Sequence, residues 1–283
     1  MALAENITGP VAYHAEGPVW SDSWGGLRLV DMFAGDLLTL RDSGVARLHV
    51  GTLAAFHRPR EGGGYVVATA RSLAVSDFAD GQPRPFAPEC RLHGGRRFND
   101  GACSPAGTLY AGSMAADGSP HAGQLLRVQP SGRSEVAVDE VGVSNGLAFS
   151  PDGSLAYYAD TNTGRVDVLD NEDDRLVRRR PFVMISPDDG APDGLTVDSE
   201  GGVWVALWGG SAVHGYDRRG RLQEVVALPA RQVSACTFGG PELATLFITT
   251  SRENLPEGED PEAGSVFAAT PGVRGIETLP FGG

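Results

Sequence analysis

The sequence predicts an all-β chain folded as a six-bladed β-propeller, one domain over residues 1–283, and three observations carry that prediction. The first is residues 191–208. There Pro192-Asp193-Gly194 opens an alternating apolar segment, Ser199-Glu200-Gly201-Gly202 makes a turn, and Val203-Trp204-Val205-Ala206-Leu207 reads as a second strand. The second is repetition: residues 97–112 and 144–160 follow the same grammar with Asn in place of Asp. Their polar leaders are Asn99 and Asn145, so with Asp193 the steps are 46 and 48 residues. The third is negative: long apolar stripes at helical spacing are missing, while 39 Gly and 19 Pro suit a fold rich in tight turns. A period in the forties with about four short strands per period is the mark of propeller blades. At that period 283 residues make about six blades. Three Asx-Gly leaders in phase with three turns argue against a β-sandwich whose turns coincide by chance.

Taken in order, residues 1–15 read as a terminal arm with a short strand at Pro10-Val11-Ala12-Tyr13, leading into Glu16-Gly17-Pro18-Val19-Trp20. Hairpin strands follow at 26–31, 37–40, 63–69 and 72–75, and after the two Asn-led copies a looser fourth copy spans 234–248. Glu16 precedes Asn99 by 83 residues, close to two periods, which gives it the equivalent place in blade one. Residues 115–123 are too long and too rich in small side chains for a hairpin turn, and are expected to be either a lid over the axis or a mobile surface loop. The mixed-charge run 171–180 is expected as a solvated outer hairpin, and the acidic, Pro-containing run 253–262 as an exposed loop.

A formal net charge of −13 repels phosphate backbones and anionic lipid, so neither nucleic acid nor a membrane surface is an expected partner. The three cysteines, Cys90, Cys103 and Cys236, fit neither a disulfide framework nor a thiolate metal motif. No leader segment and no membrane-length apolar run is read, and the expected location is the cytoplasm.

In a propeller the innermost strand of every blade lines the central channel, so equivalent positions converge there. Glu16, Asn145 and Asp193 then become neighbours. Two carboxylates and an amide oxygen are a hard, all-oxygen set suited to Ca²⁺, Mg²⁺ or Mn²⁺, and three protein ligands leave coordination positions open, as a catalytic metal requires. Without a cation two buried carboxylates repel, and at least one keeps its proton. Arg97 and Asn99 belong to the same channel, where the Arg offers fixed donors to a substrate oxygen. Asp100 is expected to brace the turn through the backbone. Asp117, on the candidate lid, is positioned in sequence to accept hydrogen bonds from substrate hydroxyls. Of the six histidines only His57, midway between Glu16 and Asn99, is placed to reach the channel, from blade two. Phosphate-binding loops and dinucleotide fingerprints are absent from the sequence.

Glu16-Gly17-Pro18-Val19-Trp20, Arg97-Phe98-Asn99-Asp100-Gly101, Ser144-Asn145-Gly146-Leu147-Ala148 and Pro192-Asp193-Gly194-Leu195 together resemble the SMP-30/gluconolactonase/regucalcin family, and the likeness extends to Trp204-Val205-Ala206 and Phe238-Gly239-Gly240. The resemblance implies a six-bladed propeller with one divalent metal in the channel and, in many members, hydrolysis of sugar lactones. It implies Glu16, Asn145 and Asp193 as metal ligands, Asp193 also as the catalytic acid/base, and Arg97 and Asn99 as substrate contacts. Asp117 stands where regucalcin-type members carry a lid Glu, a carboxylate shortened by one methylene. The expected activity is therefore metal-dependent hydrolysis of a small-molecule lactone, an aldonolactone or a related hydroxylated one. Ca²⁺ is the leading cofactor, with Zn²⁺, Mn²⁺ or Mg²⁺ as alternatives. A phosphotriesterase or other esterase on the same site, and a non-enzymatic calcium-binding propeller, are the competing readings.

Overall fold

A computed structural model describes residues 2–283. The described residues form six antiparallel four-stranded sheets, arranged as a six-bladed β-propeller. Blade one runs from its inner strand Ala15–Ser21 through Gly26–Asp31 and Asp36–Arg41 to the outer strand Gly44–His49. The inner strands of blades two to six are Ala54–Pro59, Arg96–Cys103, Ser144–Phe149, Ala191–Val197 and Val233–Gly239. Every Asx-led segment of the sequence thus begins an inner strand. The N-terminal residues depart from expectation. The strand there is Glu5–Pro10, ending where Pro10-Val11-Ala12-Tyr13 was expected to begin one. It pairs antiparallel with Ser265–Ala269 and supplies the fourth strand of blade six. Ala2–Leu3 adds in parallel to the outer strand of blade five.

All six inner strands carry one extra residue at the same level. The registers against the second strand shift between Glu16 and Val19, Ala54 and Phe56, Phe98 and Gly101, Ser144 and Leu147, Pro192 and Leu195, and Val233 and Ala235. These are β-bulges, which bend a strand and redirect a side chain that regular pleating would bury between sheets. Asn99, Asn145 and Asp193 sit inside their bulges and Glu16 directly before its own. The glycines that follow Asn145 and Asp193 are there for close approach. A Cβ on Gly146 would lie 2.5 Å from the Leu195 nitrogen, and one on Gly194 would lie 2.4 Å from Ala235 Cβ. The Asx-Gly pairs are therefore bulges rather than hairpin turns, and their glycines let neighbouring blades meet near the axis.

Apolar faces of successive sheets close on one another between the blades. Phe56, Phe98, Tyr65 and Leu109 are buried in the largest of these layers, and Trp20 stacks on Phe247 where blade one meets blade six. Residues 171–180 form the expected outer hairpin, mostly exposed, and one of its carboxylates turns inward. Asp174, at its tip, reaches blade three. Its carboxylate accepts from the Ser104, Thr108 and Arg127 side chains, and its carbonyl from Tyr110 Oη (2.8 Å) and Arg127 Nε (2.7 Å). The C-terminal segment crosses the lower end of the channel. Ser199 N donates to Arg274 O (2.8 Å) in blade five, residues 276–279 line the axial cavity, and Phe281 N donates to Pro59 O (2.7 Å) in blade two.

Candidate active site

The six inner strands run in one direction, so their bulges form a ring near one end of the channel. Glu16, Asn99, Asp100, Asn145 and Asp193 are all buried there. Asn145 is aimed by a hydroxyl: its Nδ2 donates to Thr161 Oγ1 at 3.0 Å, which leaves Oδ1 turned away from that bond. Asn145 Oδ1 and Asp193 Oδ1 are both buried without a hydrogen-bond partner. Glu16 Oε2 accepts from the amide of Gly17 at 3.1 Å. Buried oxygens left unpaired cost roughly 1–3 kcal/mol each, so two at one level call for a missing partner.

The charges point to what that partner is. Burial raises the Glu16 carboxyl to about 8, helped by the nearby Asp100 carboxylate. Asp193 is pushed well above its ordinary range by burial, then by Glu16 and Asp100, with an Asn145 contact acting the other way. Asp100 is raised by burial alone, against Arg58 and the Gly101 amide. A divalent cation among these oxygens would satisfy the unpaired Oδ1 atoms and remove the repulsion, and the hard donor set suits Ca²⁺, Mg²⁺ or Mn²⁺. Among the described residues no three His, Cys, Asp or Glu side chains gather as a metal-binding group.

Arg97 and Asn99 lie beside this set. Arg97 Nη1 donates to Asn99 Oδ1 (2.8 Å) and to Phe98 O (3.0 Å), and Asn99 Nδ2 donates to Ser144 O (3.0 Å). Burial depresses the Arg97 guanidinium, while Glu253, Glu16 and Asp193 hold it charged. Asp100 braces its bulge as expected, accepting from Gly101 N at 2.7 Å, and Arg58 Nη2 stands 3.5 Å away.

Two expected residues are not brought into the cluster. Asp117 is exposed, and its carboxylate accepts from the Ser119 amide (3.0 Å) and hydroxyl (2.7 Å) within its own loop. His57 is on the inner strand of blade two, but alternation turns it away. Arg58 faces Asp100 across blades two and three, so His57 faces the other way and packs on Trp24, ring centroids 5.4 Å apart, with both nitrogens unpaired.

Three polar residues were missed in the sequence. His14 is buried beside the cluster, its Nε2 3.8 Å from Glu16 Oε1 and its Nδ1 2.7 Å from Ser251 Oγ. Burial, then Arg97, lowers it to about 3, so it is neutral at pH 7 and its approach to Glu16 is not an ion pair. Glu253 lies 3.5 Å from His14 Nδ1 and is half-buried at the channel mouth, although its run reads as exposed loop. The signal for His14 was available: it stands two residues before Glu16, on the same face of the chain. Nothing comparable marks Ser251 or Glu253. Below the bulges the channel narrows to a cavity of about 90 Å³ lined by Cys103, Phe149, Val197 and Thr237 and closed by residues 276–279.

Residues 14–252 match the family described as SMP-30/Gluconolactonase/LRE-like region. The chain belongs to this family. It is 30% identical over 282 residues to the regucalcin of Sus scrofa, covering 95% of this chain and 94% of that one. It is also 30% identical over 280 residues to a Bacillus subtilis (strain 168) protein provisionally named as a sugar lactone lactonase, with the same coverage. Among solved structures, a luciferin-regenerating enzyme superposes with a TM-score of 0.89 at 26% identity, covering 100% of both chains. Members of the SMP-30/gluconolactonase family thus carry names from lactonase to luciferin-regenerating enzyme on one propeller, and a small-molecule substrate is the common implication. Among the described residues no helix is long and apolar enough to cross a membrane.

Proposed function

We propose that this protein is a metal-dependent lactonase that opens a sugar-type lactone or a related hydroxylated lactone. The observation that carries the proposal is the pair of unpaired buried oxygens, Asn145 Oδ1 and Asp193 Oδ1, at the level of Glu16 and next to Arg97. Glu16, Asn145 and Asp193 would hold the ion, Ca²⁺ first, with Mg²⁺, Mn²⁺ or Zn²⁺ as alternatives. When bound, the ion supplies Lewis-acid polarisation of the ester carbonyl and stabilises the charge that develops on its oxygen.

The chain's own residues do the rest. Arg97, preset by its bond to Asn99, offers its guanidinium N–H groups to a substrate oxygen and fixes the orientation of the ring. Asp193 accepts the proton of the attacking water and returns it to the ring oxygen as the acyl C–O bond breaks, giving the open hydroxy acid. A carboxylate whose pKa is lowered by a cation is a weak base, and a strained cyclic ester asks little of it. Arg97 and Asn99 beside the donors support an enzyme over a metal-storage propeller, which has no use for a substrate cradle. Three buried, unpaired thiols suit a reducing compartment, and the cytoplasm is the proposed location.

The test is lactone hydrolysis, followed with a pH indicator, by protein stripped with EDTA and given back Ca²⁺, Mg²⁺, Mn²⁺ or Zn²⁺. Turnover restored by metal is expected, and Asp193→Ala should lower kcat by at least about 10²-fold with its circular dichroism unchanged. Undiminished turnover in that variant, or silence on every lactone with metal bound, would sink the proposal.

A further inference from the structure

The mouth above the metal donors is chemically lopsided. On the side of blades one and five it is built of rings. Phe33 is 37% exposed and Tyr13 49% exposed, two of the larger apolar side chains left open to solvent. Their centroids are 6.2 Å apart. The His14 ring lies 5.0 Å from Phe33 and 5.8 Å from Trp208, which is half-buried. The Arg97 guanidinium lies 5.8 Å from the Phe33 centroid, so this wall abuts the residue proposed to orient the substrate. Large aromatic side chains left open to water at the rim of a cavity mark a surface that a ligand covers.

Most of the side chains near the donors that would read hydroxyls on a substituent are committed elsewhere, which leaves Glu253 as the carboxylate at the mouth. Asn99 is bonded to Arg97 and to the Ser144 carbonyl, Asn145 Nδ2 to Thr161, His14 Nδ1 to Ser251, and Asp117 to Ser119. A hydroxymethyl or glycerol-like arm laid on the Phe33 ring would lose its water without gaining a partner from it, whereas a methyl, alkyl or aryl arm would gain apolar contact.

We propose that Phe33, with Tyr13 and Trp208, is the specificity wall of this site, selecting lactones whose exocyclic arm is apolar over those whose arm is hydroxylated. The inference rests on the lactonase reading and narrows its substrate. Hydroxyls on the lactone ring remain compatible with Arg97, while the arm beyond the ring is a deoxy, alkyl or aryl group.

The test uses metal-loaded, full-length protein and matched lactone pairs that differ only in the arm, a six-carbon aldonolactone against its 6-deoxy counterpart. The 6-deoxy member should have a kcat/KM about tenfold higher or more, the discrimination one small group commands in an apolar pocket. Phe33→Ser should bring that ratio close to one, and Trp208→Ser should move it the same way. Phe33→Leu should keep most of it. Phe78→Ser, at a 75% exposed phenyl in the turn after the third strand of blade two, should leave it unchanged. Circular dichroism and Tm report that each variant is folded. Turnover with a ratio at or below one, or a ratio indifferent to Phe33→Ser, overturns the specificity wall and leaves the lactonase standing. No turnover of either member with metal bound overturns both.

Discussion

At the scale of single residues the site is governed by buried carboxyls held above their ordinary range, Glu16 among them. Glu16 is buried beside Asp100 and Asp193, and in the metal-free protein its pKa is about 8 against 4.5 for an unperturbed Glu. The folded state therefore holds a proton that the unfolded chain has already released across that window. Stability contributed by the protonated group is fully present below about pH 4.5 and is lost as pH rises through about 8. The metal-free protein should accordingly melt at progressively lower temperature as pH is raised across the window. Excess Ca²⁺ should reverse the loss, most strongly at the alkaline end, since a cation takes the place of the proton. Glu16→Gln should make the metal-free profile shallower, leaving the part due to Asp193 and Asp100, and weaken the Ca²⁺ effect. Scanning calorimetry of the stripped and loaded forms decides this, and a Tm that rises with pH in the stripped protein would contradict it.

At the scale of elements, the bulged inner strand is the unit that repeats, and it explains what was legible in the sequence. Asn99, Asn145, Asp193 and Glu16 can be brought together from the sequence because the period counts them into equivalent blades. The reason for their glycines could not be read, since Asn-Gly and Asp-Gly spell a hairpin turn equally well. Only the register shifts of the six strands reveal a bulge. His57 and Asp117 went astray for related reasons. One extra residue in a strand reverses which face a side chain takes, and a loop between strands has no period to place it. Glu253 was missed because an acidic run gives no sign of which single carboxylate turns inward. The bulge also makes a measurable claim. A methyl on Gly194 would press on Ala235 Cβ at 2.4 Å and Ala235 Cα at 2.8 Å, both fixed parts of blade six. Gly194→Ala should therefore cost about 1–3 kcal/mol by overpacking, read as a lower Tm. It should also weaken metal binding, because the strain falls next to Asp193. A variant as stable as the parent would show that the blades can separate by the width of a methyl at no cost.

At the scale of the whole molecule, a ring of blades has one joint that sequence order does not close, and here it lies inside blade six. Three of that blade's strands come from the C-terminal part of the chain and the fourth, Glu5–Pro10, from the N-terminal end. The joint is held by backbone pairing, Glu5 with Ala268 and Asn6 with Phe267, and by side chains. Asn6 Nδ2 donates to Glu262 Oε2 (3.0 Å), and Val266 N donates to Thr8 Oγ1 (2.9 Å). Each blade packs between two neighbours, so cooperativity around the ring depends on this clasp as much as on any core residue. Removing residues 2–10 leaves the edge of Ser265–Ala269 unpaired, and an open edge recruits another strand. The shortened protein should melt well below the full chain and self-associate in size-exclusion chromatography. The proposed donors on the axis come from blades one, four and five, and a ring free to open between blades six and one should hold Glu16 less firmly against the other two. Metal affinity should then fall together with Tm. A synthetic peptide of residues 2–10, added in trans, should restore both by refilling the edge. If the peptide restored neither, or the shortened protein kept its Tm and its metal affinity, the clasp would be a surface addition and closure would reside in the packing of blade six against blade one, where Trp20 stacks on Phe247.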